Sequence, residues 1–318
     1  MERIFRQAVV PAECAGQRLD QAAARVWPEF SRSRLRQWID AGCLTAGGSA
    51  VPPKTRLAGG EELVLDAMTQ PQVALDPEPI RLAIVAEDPA FFVIDKPAGL
   101  IVHPGAGNPS GTLQNALLHR DPALEQVPRA GIVHRLDKDT SGLLVVARTL
   151  QSQAALAAQI ESRSMHRTYE AICGGVLTGG GTVDAPLGRH PRDRRRQCVR
   201  EDGRAARTHY RLRERFRAHT HIEVNLDTGR THQIRVHMAH VRSPLLGDPV
   251  YGGRPRLPRA PTAELVAAVQ GFPRQALHAV RLAFEHPVTG EPVEAHSEPA
   301  EDFRALLEVL RADAQAAR

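Results

Sequence analysis

Hydrophobic residues near the N-terminus repeat at helical spacing and predict two short helices. The first covers residues 19–26, and Pro28 ends it because a proline ring cannot continue an α-helix. The second covers residues 32–41, with Ser31 as its N-cap and an apolar stripe that includes Trp38. A tight hairpin and a closing strand are predicted next, at 44–51 and 62–65. The pattern therefore indicates a small helical unit that ends in strands.

Beyond residue 80 the pattern becomes mainly that of strands. The clearest alternation lies at 221–226, where Ile222, Val224 and Leu226 share one face. Further strands are predicted at 82–86, 91–94, 143–147, 168–173 and 210–213, and helices at 151–161, 231–240 and 300–312. Because strands outnumber helices without a regular strand–helix–strand alternation, the predicted fold class is α+β with a mixed sheet.

The stretch 67–79 contains three prolines and little apolar periodicity, which is typical of a connection between domains. We therefore predict a domain over residues 1–70, a linker over 71–80 and a second domain over 81–318.

Composition narrows the class of protein. The 318 residues are 42% hydrophobic and 24% charged, as in an ordinary globular protein, and the formal charge of +5 permits a polyanionic partner. The longest apolar runs have about five residues, far short of the ~18 that a membrane helix needs. The N-terminus lacks the apolar core of a signal peptide, and the four cysteines are far apart. We expect a cytoplasmic protein without membrane contact.

The densest chemistry lies in GIVHRLDKDTSG at residues 131–142, a polar loop that leads directly into an apolar strand. Loops on a rigid scaffold commonly present reactive groups. Asp137 is flanked by Arg135 and Lys138, so a structural salt bridge is the alternative interpretation of this carboxylate. Lys138 and Lys96 are two of only three lysines, and both fall in motifs, which points weakly to a need for a compact ammonium group.

HRLDKDTSGLLVVA at 134–147 resembles the signature motif of the RluA-type RNA pseudouridine synthases. Five more segments are similar to that family's motifs, in the same order: 96–104, 167–171, 228–237, 247–253 and 275–279. The first domain resembles an S4 RNA-binding domain. The resemblance covers nearly the whole chain and implies a mixed, mainly antiparallel catalytic sheet.

The resemblance also implies roles for single residues. Asp137 falls on the family's catalytic carboxylate, Tyr169 on its active-site tyrosine, and Arg235 on the arginine that pairs with the carboxylate. Arg135 falls on the residue that fills the gap left by a flipped base. Further RNA contacts are predicted for Ser31, Arg32, Arg34, Arg36, Lys96, Lys138, Arg189 and Arg230.

The chemistry of such a site can be argued from the reaction itself. Pseudouridine formation breaks the C1′–N1 bond of uridine, turns the base and joins C1′ to C5, so neither a redox cofactor nor a nucleotide is required. Asp137 could attack C1′ or C6 as a nucleophile, or remove the 2′-hydrogen as a base. Arg235 would favour its ionised form. Tyr169 offers a ring for stacking and a hydroxyl near C5. The base must be flipped out, which costs a few kcal/mol.

Two other features have simpler interpretations. The histidines at 232, 237 and 240 lack the spacing and the carboxylate of a zinc site, so we expect no metal and assign them to helix packing or phosphate contact. Residues 189–207 hold eight arginines. Such a segment is either a solvated loop or, in an RNA enzyme, a clamp on phosphates.

The expected function is isomerisation of uridines in 23S rRNA, in the loop of helix 69, by a monomer without a cofactor. Its partner is 23S rRNA or a precursor of the large ribosomal subunit. The alternatives are a ribosome-assembly factor that binds without catalysis, a carbohydrate-active hydrolase, and a family member with another rRNA target. The hydrolase explains neither the S4-like unit nor the absence of a second acid.

Overall fold

The computed structural model describes residues 3–28, 30, 32–68, 75–105, 107–193 and 195–317. The chain divides into two compact units, at Leu75 and Asp76. Residues 71–74 of the predicted linker lie outside the described residues, and the S4-like assignment of the first unit stays a prediction.

The first unit is built from two helices and a three-stranded antiparallel sheet in the order β1–β3–β2. Leu19, Leu35 and Leu63 are fully buried and join the helices to the sheet. Its elements are β1 (Arg3–Val9), α1 (Leu19–Val26), α2 (Arg32–Asp40), β2 (Leu44–Ala46) and β3 (Glu62–Met68), with a 3-10 turn at Ala12–Cys14. Both predicted helices are confirmed, and β1 is an additional strand.

The second unit contains a larger sheet that begins with β4 (Ala83–Glu87), β5 (Phe91–Lys96) and β6 (Ser141–Ala147). The helix α3 (Leu113–Arg120) and 3-10 turns at Pro122–Gln126 and Pro128–Gly131 precede β6. Further along the chain lie α4 (Leu150–Ser162), β7 (His166–Gly174), β8 (Gly181–Asp184), β9 (Leu187–Arg189), β10 (Gln197–Val199), β11 (Arg207–Arg215) and β12 (His219–Leu226). The last elements are α5 (Gln233–His240), α6 (Ala263–Gly271), β13 (Leu277–Glu285), β14 (Pro292–His296) and α7 (Glu301–Ala316).

Nine strands of the second unit form one sheet in the order β4–β5–β6–β13–β7–β12–β11–β8, with β14 paired to β13. The β6–β13 pair is parallel, and the other described pairs of this sheet are antiparallel. Strands β9 and β10 form a separate hairpin. The predicted α+β class with a mixed, mainly antiparallel sheet is confirmed.

Helices pack against this sheet through apolar clusters. Leu156 of α4 packs in one cluster with Val145 of β6 and Leu282 of β13. Phe303 of α7 packs in another with Ile172 of β7. Because successive strand residues point to opposite faces, Tyr169 lies on the face opposite Ile172 and away from the α7 cluster. This leaves one side of β7 available to line a site.

Within the described residues, no helix is long and apolar enough to cross a membrane.

Candidate active site

The loop that carries Asp137 is held between two glycines in tight positions. Gly131 has a φ of 78°, and a Cβ atom there would lie 1.8 Å from the carbonyl oxygen of Ala147. Gly142 has a φ of 109°, and its Cβ would lie 2.4 Å from the backbone of Ala279, where β6 runs parallel to β13. Because only glycine tolerates both the conformation and the contact, the loop enters and leaves the sheet at fixed points.

Two buried cations, Lys96 and Arg274, donate hydrogen bonds to the backbone of the loop that carries Asp137. Lys96 is fully buried, and its Nζ donates to the carbonyl oxygens of Pro97, Leu100 and Lys138 at 2.7, 3.0 and 2.9 Å. Arg274 donates to the carbonyl oxygen of Asp139 at 3.2 Å. Burial lowers the pKa of Lys96 to about 8, so the ammonium form with its three donors is present at neutral pH. These contacts fix the backbone on the C-terminal side of Asp137.

The prediction that Lys96 contacts RNA is wrong. Its side chain has no exposed surface, and all three ammonium protons have backbone acceptors. A buried ammonium matched to carbonyl oxygens is a structural group.

Replacing Lys96 with Met is expected to lower the free energy of unfolding by about 3 kcal/mol, because three buried carbonyl groups lose their donor. Urea unfolding measures the change. The exposed lysine Lys54 supplies the control, since Lys54→Met should stay within about 0.5 kcal/mol of the unaltered chain. Equal unfolding midpoints for the two variants would contradict the role given to Lys96.

Asp137 forms an ion pair with Arg235, which in turn is anchored by Asp248. The Asp137 Oδ2 atom accepts from Arg235 Nη1 at 3.0 Å. Arg235 Nε and Nη2 donate to the two carboxylate oxygens of Asp248 at 2.7 and 2.9 Å. The sequence-based expectation that Asp137 and Arg235 lie together agrees with this geometry. Their catalytic roles stay predictions.

Asp248 is the deeper of the two carboxylates, and its side chain has no exposed surface. Its Oδ1 atom also accepts from the backbone N–H groups of Val250 and Tyr251. Burial alone would raise the pKa of Asp248, but Arg235 and these N–H groups hold the pKa below its ordinary value. Asp248 therefore stays ionised and fixes the direction of the Arg235 guanidinium.

The second carboxylate oxygen of Asp137 is available for chemistry. Oδ1 has no hydrogen-bond donor among the described residues, and the nearest ring nitrogen, His232 Nε2, is 3.9 Å away. The side chain is 16% exposed and lines a cleft of about 560 Å³. Asp137 thus lines the cleft with one oxygen held by Arg235 and one oxygen that no described donor holds.

Tyr169 lies in the wall of the same cleft, on β7. It is 5% exposed, and burial raises the pKa of its hydroxyl, which is therefore protonated at neutral pH. A mostly buried ring beside the cleft can stack on a planar base. The three predicted catalytic residues, Asp137, Tyr169 and Arg235, line one cleft.

His232 connects Asp137 to a tyrosine that the sequence analysis did not single out. Its Nδ1 atom is 2.9 Å from the Tyr251 hydroxyl, which also accepts from the backbone N–H of Gln197 at 2.8 Å. Burial lowers the pKa of His232, so the ring is neutral at pH 7. His237, in contrast, is buried against Thr208 and the carbonyl oxygen of Ala185, as expected for a packing histidine.

Arginines surround the mouth of the cleft. Arg135 is exposed and lines it, and Arg230 is half-buried there with its Nε donating to the carbonyl oxygen of Ala205. Three other exposed arginines line the same cleft: Arg129, Arg163 and Arg204. Among the described residues, none of these five guanidinium groups has a carboxylate partner within 4.0 Å. A rim of unpaired cations suits a phosphate backbone.

The remaining predicted RNA-binding residues lie outside this cleft. Lys138 and Arg189 are exposed and do not line it. In the first unit, Arg32 pairs with the buried Asp20 at 2.8 Å, Arg36 pairs with Asp40 at 3.7 Å, and Arg34 lies over the Trp38 ring at 5.3 Å. Ser31 lies outside the described residues.

In the described part of the chain, no group of three His, Cys, Asp or Glu side chains could hold a metal ion.

Sequence reasoning did not single out Asp248, Tyr251 or Arg167 as site residues, and it missed the role of Lys96 as a buried support. Asp248 lies in the segment GDPVYGG at 247–253, and Arg167 begins the segment RTYEA. The signal that could have indicated Asp248, Arg167 and the role of Lys96 is that each is a charged residue within a family motif. Sequence spacing could not tell which charges become buried.

Comparisons with known proteins agree with the motif pattern. Residues 90–240 match the family model described as RNA pseudouridylate synthase. The chain is 56% identical to "Ribosomal large subunit pseudouridine synthase D" of Xanthomonas campestris pv. campestris, over 98% of this chain and 95% of that protein. The proteins of the same name from Pseudomonas aeruginosa and Escherichia coli K12 are 54% and 49% identical, over 99% and 98% of this chain and 98% and 96% of theirs.

Solved structures share the fold. "Human RNA Pseudouridylate Synthase Domain Containing 4" superposes with a TM-score of 0.56 at 24% identity, over 72% of this chain and 93% of that one. "Human RNA Pseudouridylate Synthase Domain Containing 1" gives 0.54 at 24% identity, over 74% and 96%.

Proposed function

Because the chain belongs to the RluA-type RNA pseudouridine synthases, we propose that it isomerises uridines of 23S rRNA to pseudouridine, in the loop of helix 69. The observation that carries this proposal is the cleft in which Asp137, Tyr169 and Arg235 meet under a rim of unpaired arginines. The near full-length similarity to proteins named as large-subunit pseudouridine synthases supports the choice of rRNA.

The proposed mechanism begins with a uridine that is flipped out of its stack into the cleft. Phosphates bind the arginine rim, and Arg135 at the mouth fills the space that the base has left. The uracil ring then stacks on Tyr169. Flipping costs a few kcal/mol, which the phosphate and stacking contacts offset.

Asp137 then acts through Oδ1, the oxygen without a hydrogen-bond donor among the described residues, while Arg235 holds Oδ2. Attack at C1′, attack at C6 and removal of the 2′-hydrogen all use this same oxygen. In each route the C1′–N1 bond breaks with its electron pair on the uracil, C1′ bonds to C5, the C5 proton leaves and N1 gains a proton. The sum is an isomerisation, so the proposal includes no cofactor and no metal.

We also propose that the protein acts as a cytoplasmic monomer on 23S rRNA or on a precursor of the large subunit. The first unit serves as its S4-like RNA-binding domain, through the arginines of α2. Arg34 and Arg36 lie on that helix.

A double variant, Arg34→Gln with Arg36→Gln, tests the role of the first unit in the full-length chain. Each arginine that neutralises a phosphate adds about 0.7–0.9 to the slope of log K against log salt, so the slope should fall by about 1.4–1.8. Fluorescence anisotropy with labelled rRNA fragments measures it. Arg311→Gln is the control, because Arg311 of α7 pairs with Glu214 of β11, and it should leave the slope unchanged. An unchanged slope in the double variant would argue against RNA contact by α2.

Incubating the purified protein with a 23S rRNA fragment that contains helix 69, and then mapping pseudouridine by carbodiimide modification and primer extension, tests the proposal. We expect new stops within the helix 69 loop. Modification of other rRNA sites alone would identify a family member with another target, and RNA binding without modification would favour an assembly factor.

A further inference from the structure

Arg167 is a buried arginine without a counter-ion. It lies on β7 and is 7% exposed. Its Nε is buried without a hydrogen-bond partner among the described residues, and its terminal nitrogens, which also have no protein acceptor or carboxylate there, keep contact with solvent at the cleft. The other arginines that are buried to this degree behave differently. Arg235 pairs with Asp248 and Asp137, and Arg274 pairs with Asp302 at 2.6 Å.

A largely buried arginine that contacts no carboxylate and no carbonyl oxygen adds no polar contact to the fold, so folding alone does not account for it. Removing an ion from water costs several kcal/mol unless another group compensates. Proteins keep such groups where a ligand supplies the missing partner. Because the terminal nitrogens of Arg167 face the cleft, an acceptor that enters the cleft can supply this partner.

The position of Arg167 shows which part of a ligand it meets. Arg167 precedes Tyr169 by two residues on the same strand, so the two side chains share a face, and both line the cleft. Its Nη1 atom packs against Gly229, where a Cβ atom would lie only 2.8 Å away. The guanidinium thus lies in the wall that surrounds the proposed uracil position, whereas the arginines of the rim are exposed or, at Arg230, half-buried.

A neighbouring histidine does not supply the missing charge. His134 Nε2 accepts from the backbone N–H of Val145 at 3.1 Å. Burial, together with the cation of Arg167, lowers the pKa of His134 to about 3, so the ring is neutral. The Arg167 side of the cleft therefore carries an unbalanced positive charge.

Uracil becomes negatively charged during the reaction proposed above. When C1′–N1 breaks, the electron pair passes to the uracil and is shared by its carbonyl oxygens. Addition of Asp137 at C6 would place the same charge on the O4 side. Either route therefore needs a fixed cation beside a carbonyl oxygen.

We propose that the terminal N–H groups of Arg167 donate to a uracil carbonyl oxygen and stabilise the negative charge that develops there. This inference rests on the proposed function and names a further residue that contacts the substrate. Arg167 differs from the rim arginines because it acts on the base after bond breaking begins and contributes little to RNA affinity.

The variant Arg167→Met tests this with three measurements on the full-length protein. At saturating rRNA fragment, kcat should fall about 10²–10³-fold, as for the loss of one preorganised donor to an oxyanion. The Kd for RNA should change less than about threefold, because exposed phosphate contacts supply most affinity. The melting temperature should stay equal or rise, since Arg167 has no ion pair or hydrogen bond to lose within the described part of the chain, and its Nε is buried without a partner there.

Arg217→Met is the matched control. Arg217 lies outside the cleft and pairs with the buried Asp313 at 3.0 Å. Its loss should lower the melting temperature and leave kcat at saturating RNA unchanged, which is the opposite result. If Arg167→Met also lowered the melting temperature, Arg167 would have a structural role. If it weakened Kd and kept kcat, Arg167 would bind a phosphate.

Two further experiments examine charge stabilisation directly. Gly229→Ala should displace the guanidinium of Arg167 while keeping the residue. We expect kcat to fall about tenfold or more, because small misplacements of a reacting or stabilising group lower the rate. The second experiment is a single-turnover assay in which 5-fluorouridine replaces the target uridine. Its base stabilises the negative charge that develops on the ring without help from the protein. The defect of Arg167→Met in C1′–N1 cleavage should then shrink at least tenfold.

An equal defect with uridine and 5-fluorouridine would overturn the inference about Arg167. That outcome leaves the proposed function standing, because the unaltered chain would still form pseudouridine. If the unaltered chain formed no pseudouridine in 23S rRNA, that result would instead count against the proposed function. The melting temperatures of the variants would still test whether Arg167 has a structural role.

Discussion

Asp137→Asn is expected to abolish pseudouridine formation while RNA binding stays within a few-fold of the unaltered protein. The amide has the size of the carboxylate, so the loop held by Lys96 and the two glycines should keep its path. What is lost is a charged oxygen that can attack carbon or remove a proton. Loss of a group that acts as nucleophile or base typically lowers the rate by about 10⁴-fold or more.

This variant also separates the enzyme from an RNA-binding assembly factor. Single-turnover assays with a radiolabelled rRNA fragment measure the rate, and filter binding measures Kd. Asp139→Asn is a useful control, since that carboxylate lies two residues away and has no catalytic role in the account. Turnover by Asp137→Asn at more than about one hundredth of the unaltered rate could not be reconciled with catalysis by Asp137.

Arg235→Met is expected to damage both stability and activity. Its removal leaves Asp248 as a buried carboxylate without a cation, which costs about 3–5 kcal/mol of unfolding free energy. The same change releases Asp137 Oδ2, and loss of alignment at a reacting group lowers activity by about 10²-fold or more. Urea unfolding and single-turnover rates measure the two effects separately.

A second variant distinguishes the two effects of losing Arg235. In Arg235→Met combined with Asp248→Asn, the uncompensated charge is gone, and the amide oxygen can still accept from the backbone N–H groups of Val250 and Tyr251. Most of the lost stability should return, while activity should not. Recovery of activity together with stability would mean that Arg235 only supports the fold.

Local sequence patterns predicted some elements well and missed others. Both helices of the first unit and the long amphipathic helix α7 follow from apolar spacing. The helix α5 begins two residues later than predicted, because His232 adopts a left-handed conformation with a φ of 57°. Strands β13 and β14 were missed, since β6 and β7, which are distant in sequence, hold β13 in the sheet, and β14 joins the sheet only by pairing with β13.

The alternation of apolar and polar residues in β12 predicted the strand correctly, but it did not predict that both faces of the strand are buried. Ile222 and Val224 are buried as predicted, but His221 and Glu223 on the other face are buried too. His221 lies 2.9 Å from Glu170, and Glu223 pairs with Arg211. Polar residues at alternate positions normally indicate a solvated face, and here charge pairing allows their burial.

The candidate site shows the same division between pattern and packing. The family motifs predicted that Asp137, Tyr169 and Arg235 belong to one site, because each residue lies within a motif, and all three line one cleft. Lys96 was placed on the surface instead, since its burial depends on three carbonyl oxygens from two loops. The sequence also could not predict that Arg167 lacks an ion-pair partner among the described residues, because this depends on the positions of carboxylates in the folded chain.

The central claim is that this chain makes pseudouridine in 23S rRNA, and a map of pseudouridines across that rRNA tests it most directly. The rRNA would come from cells with the gene, cells without it, and deleted cells carrying either the unaltered gene or Asp137→Asn. If the chain makes these pseudouridines, those in the helix 69 loop should disappear on deletion, return with the unaltered gene, and stay absent with Asp137→Asn. Identical maps from all four strains would contradict it.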